Sequence, residues 1–223
     1  MRSFWIGCAA LLALAVMPAD AGAQEISLTL RGGAGLPLGQ FAESPSGPGE
    51  ADILEGAKVG FGYGLDAALL LNRMVGLYVG FDRMAFACEQ DACGSENSYT
   101  FSGLTGGVML TPFRAGGLVP WIRGGVTFHE LSGSYQAQGG IGELTSDRAP
   151  GYEVGAGVAI PILGILAVTP QVRYLGQSPR ARIRGVQYPG GDEVDTNVGY
   201  LTFDLGFGFH TPMGGGGWRM QRR

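Results

Sequence analysis

An all-β fold, an eight-stranded antiparallel up-and-down barrel that crosses a membrane, is what this sequence predicts, and three observations predict it. Large apolar residues alternate with glycine or polar ones at a period of two almost everywhere after residue 25. The alternating stretches number eight, and the connections between them are alternately short and long. The face opposite the bulky one is tiny or charged, the reverse of what a barrel in water presents.

Successive side chains of a strand point to opposite faces, so each stretch can be sorted into two faces. From about Ile26 to Leu36, Leu28, Leu30 and Ala34 oppose Ser27, Thr29, Arg31 and Gly33. From Lys58 to Leu71, Val59, Phe61, Tyr63, Leu65 and Leu69 oppose glycines and Asp66. Val75 to Ala87 sets Leu77, Val79 and Phe81 against Tyr78, Gly80, Asp82 and Met84. Ser98 to Leu110 is weaker, with Leu104, Val108 and Leu110 opposite Tyr99, Thr105 and Gly107. Val119 to Ser132 carries Ile122, Val126 and Phe128 against Arg123, Gly125, Thr127 and His129. Tyr152 to Ile162 carries Val154, Val158 and Ile160 against Glu153, Gly155 and Gly157. Leu166 to about Arg184 carries Val168, Val172 and Tyr174 against Thr169, Gln171 and Arg173. The eighth stretch, from near Gly199, is the most regular, with Leu201, Phe203, Leu205, Phe207 and Phe209 at odd positions and small or polar residues between.

The connections at Asn72-Arg73, Arg114 to Gly117 and Gly164 are tight. Those at Leu38 to Ala57, Cys88 to Asn97, Ser134 to Pro150 and Gly185 to Asn197 are long and polar. Short turns at one end and long loops at the other are the layout of outer-membrane barrels. A soluble ligand-binding barrel would need its second face to be water-loving, whereas here it is rich in glycine, a poor strand former. The composition holds 41 glycines, with no triplet period and no single flexible run that absorbs them.

Residues 1–23 read as a secretory signal peptide: Arg2, an apolar run from Phe4 to Met17, then Ala21-Gly22-Ala23 as a small-residue cleavage site. The run is too short to span a membrane as a helix. The barrel is expected over residues 24–210, and a Gly-rich basic tail over 211–223. Cys8 leaves with the signal, and Cys88 and Cys93 are expected to close a short disulfide loop in the exported chain. A net charge of −4 argues against a nucleic-acid partner.

The inward series places Arg31, Lys58, Arg123 and Arg173 opposite Asp66, Asp82, Glu153 and Asp204. Equal numbers of each sign imply an interior in which charges neutralise one another, because an unpaired buried charge is costly. Arg31-Gly32-Gly33-Ala34-Gly35-Leu36-Pro37-Leu38-Gly39, the run Gly76 to Arg83, the run Val119 to Val126 and Gly155-Ala156-Gly157-Val158 together resemble the small bacterial outer-membrane barrels of the OmpA/OmpX and opacity-protein type. The resemblance spans the mature chain and implies residence in the bacterial outer membrane. Family members often end on an aromatic residue. Here Phe209 closes the alternation and a tail follows.

Some barrels of similar appearance are lipid-modifying enzymes. A site resembling the lipid A deacylases would place a histidine and a serine two apart on one strand face. His129 and Ser132 are three apart and fall on opposite faces, so no catalytic residues are assigned. No cofactor motif or metal-ligand spacing is present. Arg180, Arg182 and Arg184 share the parity of the lipid-facing series, and such a ridge fits the phosphates of lipopolysaccharide. Glu43, Glu50, Asp52 and Glu55 in the first long loop and Asp192, Glu193 and Asp195 in the last read as acidic surface, with a divalent-cation bridge as the sharper reading. The expected role is therefore non-enzymatic: a structural or surface-interaction protein whose partners are outer-membrane lipid and lipopolysaccharide, with an extracellular ligand reached through the long loops. A narrow pore is the second expectation.

Overall fold

The computed structural model describes residues 25–43, 56–88, 98–114, 117–137, 140–185 and 188–212. The expected signal segment 1–23, residues 213–223 of the expected tail 211–223, Cys93 and the loop carboxylates Glu50, Asp52 and Glu55 lie outside them. Of Cys88 only the backbone is described, so the Cys88–Cys93 bridge also lies outside the described residues.

Eleven strands follow one another along the chain. They are β1 (Glu25–Leu38), β2 (Ala57–Leu70), β3 (Val75–Cys88), β4 (Ser98–Leu110), β5 (Val119–Ala137), β6 (Gly140–Ser146), β7 (Ala149–Leu163), β8 (Leu166–Gln177), β9 (Arg180–Gly185), β10 (Tyr188–Asp195) and β11 (Val198–Pro212). Eight of them, β1 to β5 with β7, β8 and β11, close into a barrel. The seam is antiparallel β1 on β11, with Leu28 opposite Phe209 and Leu36 opposite Leu201. Closure leaves the ring without a free edge, which hydrocarbon demands because it offers no partner for backbone N–H and C=O groups.

Bulk faces outward, as the alternation predicts. Phe61 is 73% exposed, and Leu30, Tyr63, Val79, Ile122, Val154, Phe203, Phe207 and Phe209 project from the same outer surface. An apolar surface that runs round the whole barrel has no stable place in water and matches a bilayer.

The tight turns have local causes. Asn72 Oδ1 accepts from the backbone N–H groups of Met74 and Val75, 2.8 Å each, and so pins the β2–β3 turn. Between β7 and β8, Gly164 takes φ +53°, a conformation that favours glycine.

Three expectations need correction. The stretches Ser134 to Pro150 and Gly185 to Asn197 are not loops throughout. The distal half of β5 continues past the barrel and pairs with β6, β6 pairs with β9, and β9 with β10, forming a strand-built extension at the long-loop end. The seventh stretch is not one strand: it breaks after Gln177, and β9 departs into the extension after Pro179, which cannot donate to a ladder. The last strand runs to Pro212, two residues past the expected end of the barrel at residue 210.

Candidate functional site

The barrel interior holds the one constellation of chemistry-bearing side chains the alternation points to. Arg31, Asp66, Asp82, Arg123, Glu153, Arg173 and Asp204 are all buried inside it. Lys58 is not among them. A bulge between Ala57 and Gly60 adds one residue to β2, and Lys58 and Val59 both end up exposed. The eight-residue balance is therefore a seven-residue one, with three guanidiniums facing four carboxylates.

Arg173, only 1% exposed by its side chain, sits at the centre. Its Nε donates to Asp204 Oδ2 at 2.9 Å, and its Nη1 donates to Glu153 Oε2 at 3.0 Å and Asp82 Oδ1 at 3.1 Å. Arg31 Nε donates to Asp66 Oδ2 at 2.7 Å, and its Nη2 donates to Asp82. Arg123 Nη1 donates to Asp66 Oδ2 at 3.1 Å, and its Nε lies 2.5 Å from Glu153 Oε1. Every carboxylate meets at least one arginine, so the layer is a connected network rather than a set of separate pairs. Buried charges are tolerated only when their attraction and hydrogen bonds offset the loss of water, and the network meets both conditions everywhere but at Arg123, whose Nη2 has no hydrogen-bond partner among the described residues.

Uncharged residues that the charge pattern did not single out complete the layer. Thr105 donates to Asp82 at 2.7 Å, Thr202 to Asp204 at 2.8 Å, and the Tyr78 hydroxyl to Glu153 at 3.3 Å. The Arg123 guanidinium lies over the Tyr78 ring, 4.6 Å from its centroid, and 5.4 Å from that of Trp121. His129 points inward, as its parity requires, with Nε2 3.9 Å from Asp82, while Ser132 is exposed. The two do not meet.

Inward glycines make room for these groups. A Cβ at Gly64 would fall 2.6 Å from the Arg31 guanidinium carbon, one at Gly155 would fall 2.9 Å from Arg173 Cγ, and one at Gly80 would collide with Asp66. An eight-stranded lumen is just wide enough for side chains, so long ones fit only where their neighbours have none.

Toward the long-loop end the interior changes character. Phe41, on a short 3-10 turn after β1 (Gly39–Ala42), folds back into the lumen and meets the rings of Phe86, Phe101 and Tyr99 at centroid distances of 5.1, 5.7 and 5.9 Å. Tyr200 packs on Phe86 at 5.0 Å and on Phe101 at 5.7 Å. Leu131, Leu144, Leu175, Ala181 and Val198 extend this dry cluster into the strand-built extension. A signal for it was present: Phe86, Tyr99, Phe101 and Tyr200 are bulky residues at inward parity. Phe41 lies outside every alternating stretch and gave none.

At the opposite end Glu25 accepts from Arg114 at 3.1 Å and lies 3.2 Å from His210 Nδ1, tying the start of β1 to the end of β11 and to the turn after β4. On the outside, Arg180 and Arg182 are exposed, as their parity predicts, but they stand on the extension rather than on a barrel strand. Arg182 donates to Glu193 at 3.1 Å and lies 3.5 Å from Asp147, contacts that raise its already high pKa. The side chains of Arg184, Asp192 and Asp195 lie outside the description, and Glu43 is exposed.

The architecture is shared with solved outer-membrane proteins. OprG of Pseudomonas aeruginosa superposes with a TM-score of 0.53 at 14% identity, covering 86% of this chain and 98% of that one. Neisserial surface protein A gives 0.51 at 13%, over 85% and 97%. Ail, the attachment invasion locus protein of Yersinia pestis, gives 0.50 at 13%, over 85% and 99%. No curated protein sequence matches the chain well enough to count as a relative. The outer membrane protein beta-barrel domain matches residues 6–210. With its apolar girdle, closed ring and charged interior, the chain belongs to the outer membrane protein beta-barrel family and resides in the bacterial outer membrane.

Proposed function

We propose that this barrel is a closed, non-enzymatic scaffold with a structural or surface-interaction role, displaying its extension and long loops to the outside of the cell. One observation carries the reading: two layers cross the lumen in series, the ion-paired one and the aromatic one above it. An ion crossing the lumen in either direction would have to break several buried charge pairs and pass a dry aromatic cluster, each step costly. The extension supports display, because strands hold a surface in fixed shape where loops alone would not. Attachment is one use to which a fold of this kind is put, since the similar Yersinia protein is an attachment invasion locus protein that crystallised with a heparin analogue.

Outer-membrane lipid surrounds the girdle, and at the outer rim Arg180 and Arg182 suit lipopolysaccharide phosphates. Arg182 would exchange Glu193 and Asp147 for a phosphate oxygen. Alanine at Arg180, Arg182 and Arg184 together is expected to reduce lipopolysaccharide retained through purification. In planar bilayers the purified protein is expected to give no discrete current steps, and regular single-channel steps would overturn the sealed-scaffold reading. Lipid hydrolase assays with a His129→Ala control are expected to show no difference between the two proteins. Host-surface adhesion is expected to fall when the long loops are shortened.

A further inference from the structure

Below the ion-paired layer, on the short-turn side, the lumen encloses a partly open cavity of about 60 Å³. Its lining is mostly apolar, including Val119, Trp121 and Ala159, with the hydroxyls of Ser27, Thr29 and Thr169 among them. A Cβ at Gly157 would sit 2.5 Å from the Trp121 ring, so this glycine allows the indole to lie against the wall. Its inner end is polar, formed by Arg123 and Gln171, which are 6% and 8% exposed. Arg123 Nη2 and Gln171 Nε2 are both fully buried, and neither has a hydrogen-bond partner among the described residues. Buried donors are ordinarily satisfied, and two unsatisfied ones lining one cavity define a place where an acceptor is wanted.

The charge of that acceptor follows from the layer above. Asp66, which also lines the cavity, already accepts from Arg123, and Arg123 is already paired with Glu153. Four carboxylates against three guanidiniums leave the layer above with surplus negative charge, and the Glu25 carboxylate lines the cavity as well. A further anion would be repelled, whereas a neutral oxygen would satisfy both donors at no charge cost. A space of this size holds roughly two to four waters, or a molecule of about four non-hydrogen atoms.

We infer that this cavity is a binding site for a small uncharged molecule, one that carries a carbonyl or hydroxyl oxygen on a short apolar stem and enters from the periplasm. The oxygen accepts from Arg123 Nη2 and Gln171 Nε2, and the stem lies against Trp121, Val119 and Ala159. The site is blind, because the ion-paired and aromatic layers close it from above.

The test is a titration of the refolded full barrel in lipid nanodiscs with acetamide, followed by NMR at the Gln171 side-chain amide and the Trp121 indole. Saturable shifts at both are expected, with acetate at least tenfold weaker. Gln171→Leu is expected to weaken acetamide at least fivefold, and Ala159→Leu, which fills the cavity, to abolish the saturable shift. Folding of each variant is checked by faster migration of the unboiled protein, and if Ala159→Leu does not fold, Gln171→Leu decides. Absence of saturation in the parent protein would overturn the proposal, meaning that the cavity holds water only. Unchanged binding in the variants would overturn it too, and acetate binding as tightly as acetamide would overturn the uncharged assignment. Conductance reports on the layers and this titration on the cavity, so the scaffold reading and the binding site can fail separately.

Discussion

The ion-paired layer and the aromatic layer fill the same lumen a few residues apart, yet they hold it closed by different physics. In the lower one, Arg173 serves three carboxylates at once and Asp82 is shared by Arg31 and Arg173. Removing a member leaves other buried charges without partners, so the layer behaves as a unit. In the upper one, Phe41, Phe86, Phe101 and Tyr200 hold one another by ring contact and exclusion of water. Loss of a ring there leaves a void, and the cost scales with the void rather than with a network. The lesson is that a narrow barrel can be filled by either solution, and this chain uses both in sequence.

Breaking the network should have the largest effect. Arg173→Ala strands Asp82, Glu153 and Asp204, and is expected to destabilise the barrel by about 3–5 kcal/mol. Urea unfolding from lipid vesicles, followed by tryptophan fluorescence, measures it. The comparison sharpens with a triple variant, Arg173→Met, Asp204→Asn and Glu153→Gln, which removes charge together with partner and should recover a large share of that loss.

Phe86→Ala empties the centre of the aromatic layer and is expected to cost about 3 kcal/mol in the same assay. Pairing it with Phe101→Ala should give a non-additive sum, since the rings touch at 6.0 Å. Additivity there would indicate that the cluster is looser than its ring geometry implies. Next comes Gly64→Val, which pushes a side chain against the Arg31 guanidinium and is expected to cost about 1–3 kcal/mol by overpacking. If Gly64→Val were neutral, the inward glycines would not be there to make room for the charges. Smallest is Arg182→Ala on the extension, where the ion pairs with Glu193 and Asp147 are solvent-exposed, and the urea midpoint should not move measurably.

Much of this was legible in the residues. The eighth stretch, with hydrophobes at Leu201, Phe203, Leu205, Phe207 and Phe209, states strand, face and lipid contact unaided, and the others repeat it. Seven of the eight residues assigned to the interior network are in it. Lys58 is not, because a single inserted residue reverses parity and no local signal in Ala57-Lys58-Val59-Gly60 marks the bulge. The extension is not legible because β6 and β10 are short and lie in polar, Gly-rich stretches with weak alternation, and the β6–β9 pairing that joins their two hairpins links distant parts of the chain.

Period-two patterning thus decided by itself that the chain is strand, which side meets lipid, which side is interior, and at which end the connections are long. It could not decide which inward residues meet. In a closed barrel that depends on strand tilt and stagger, which set the facing positions across the lumen and exist only once the ring is shut. So the sharing of Arg173 among three strands, the folding back of Phe41 and the cavity beneath Arg123 and Gln171 belong to the tertiary structure alone. They arise from contacts across the axis, between residues that no sequence period connects.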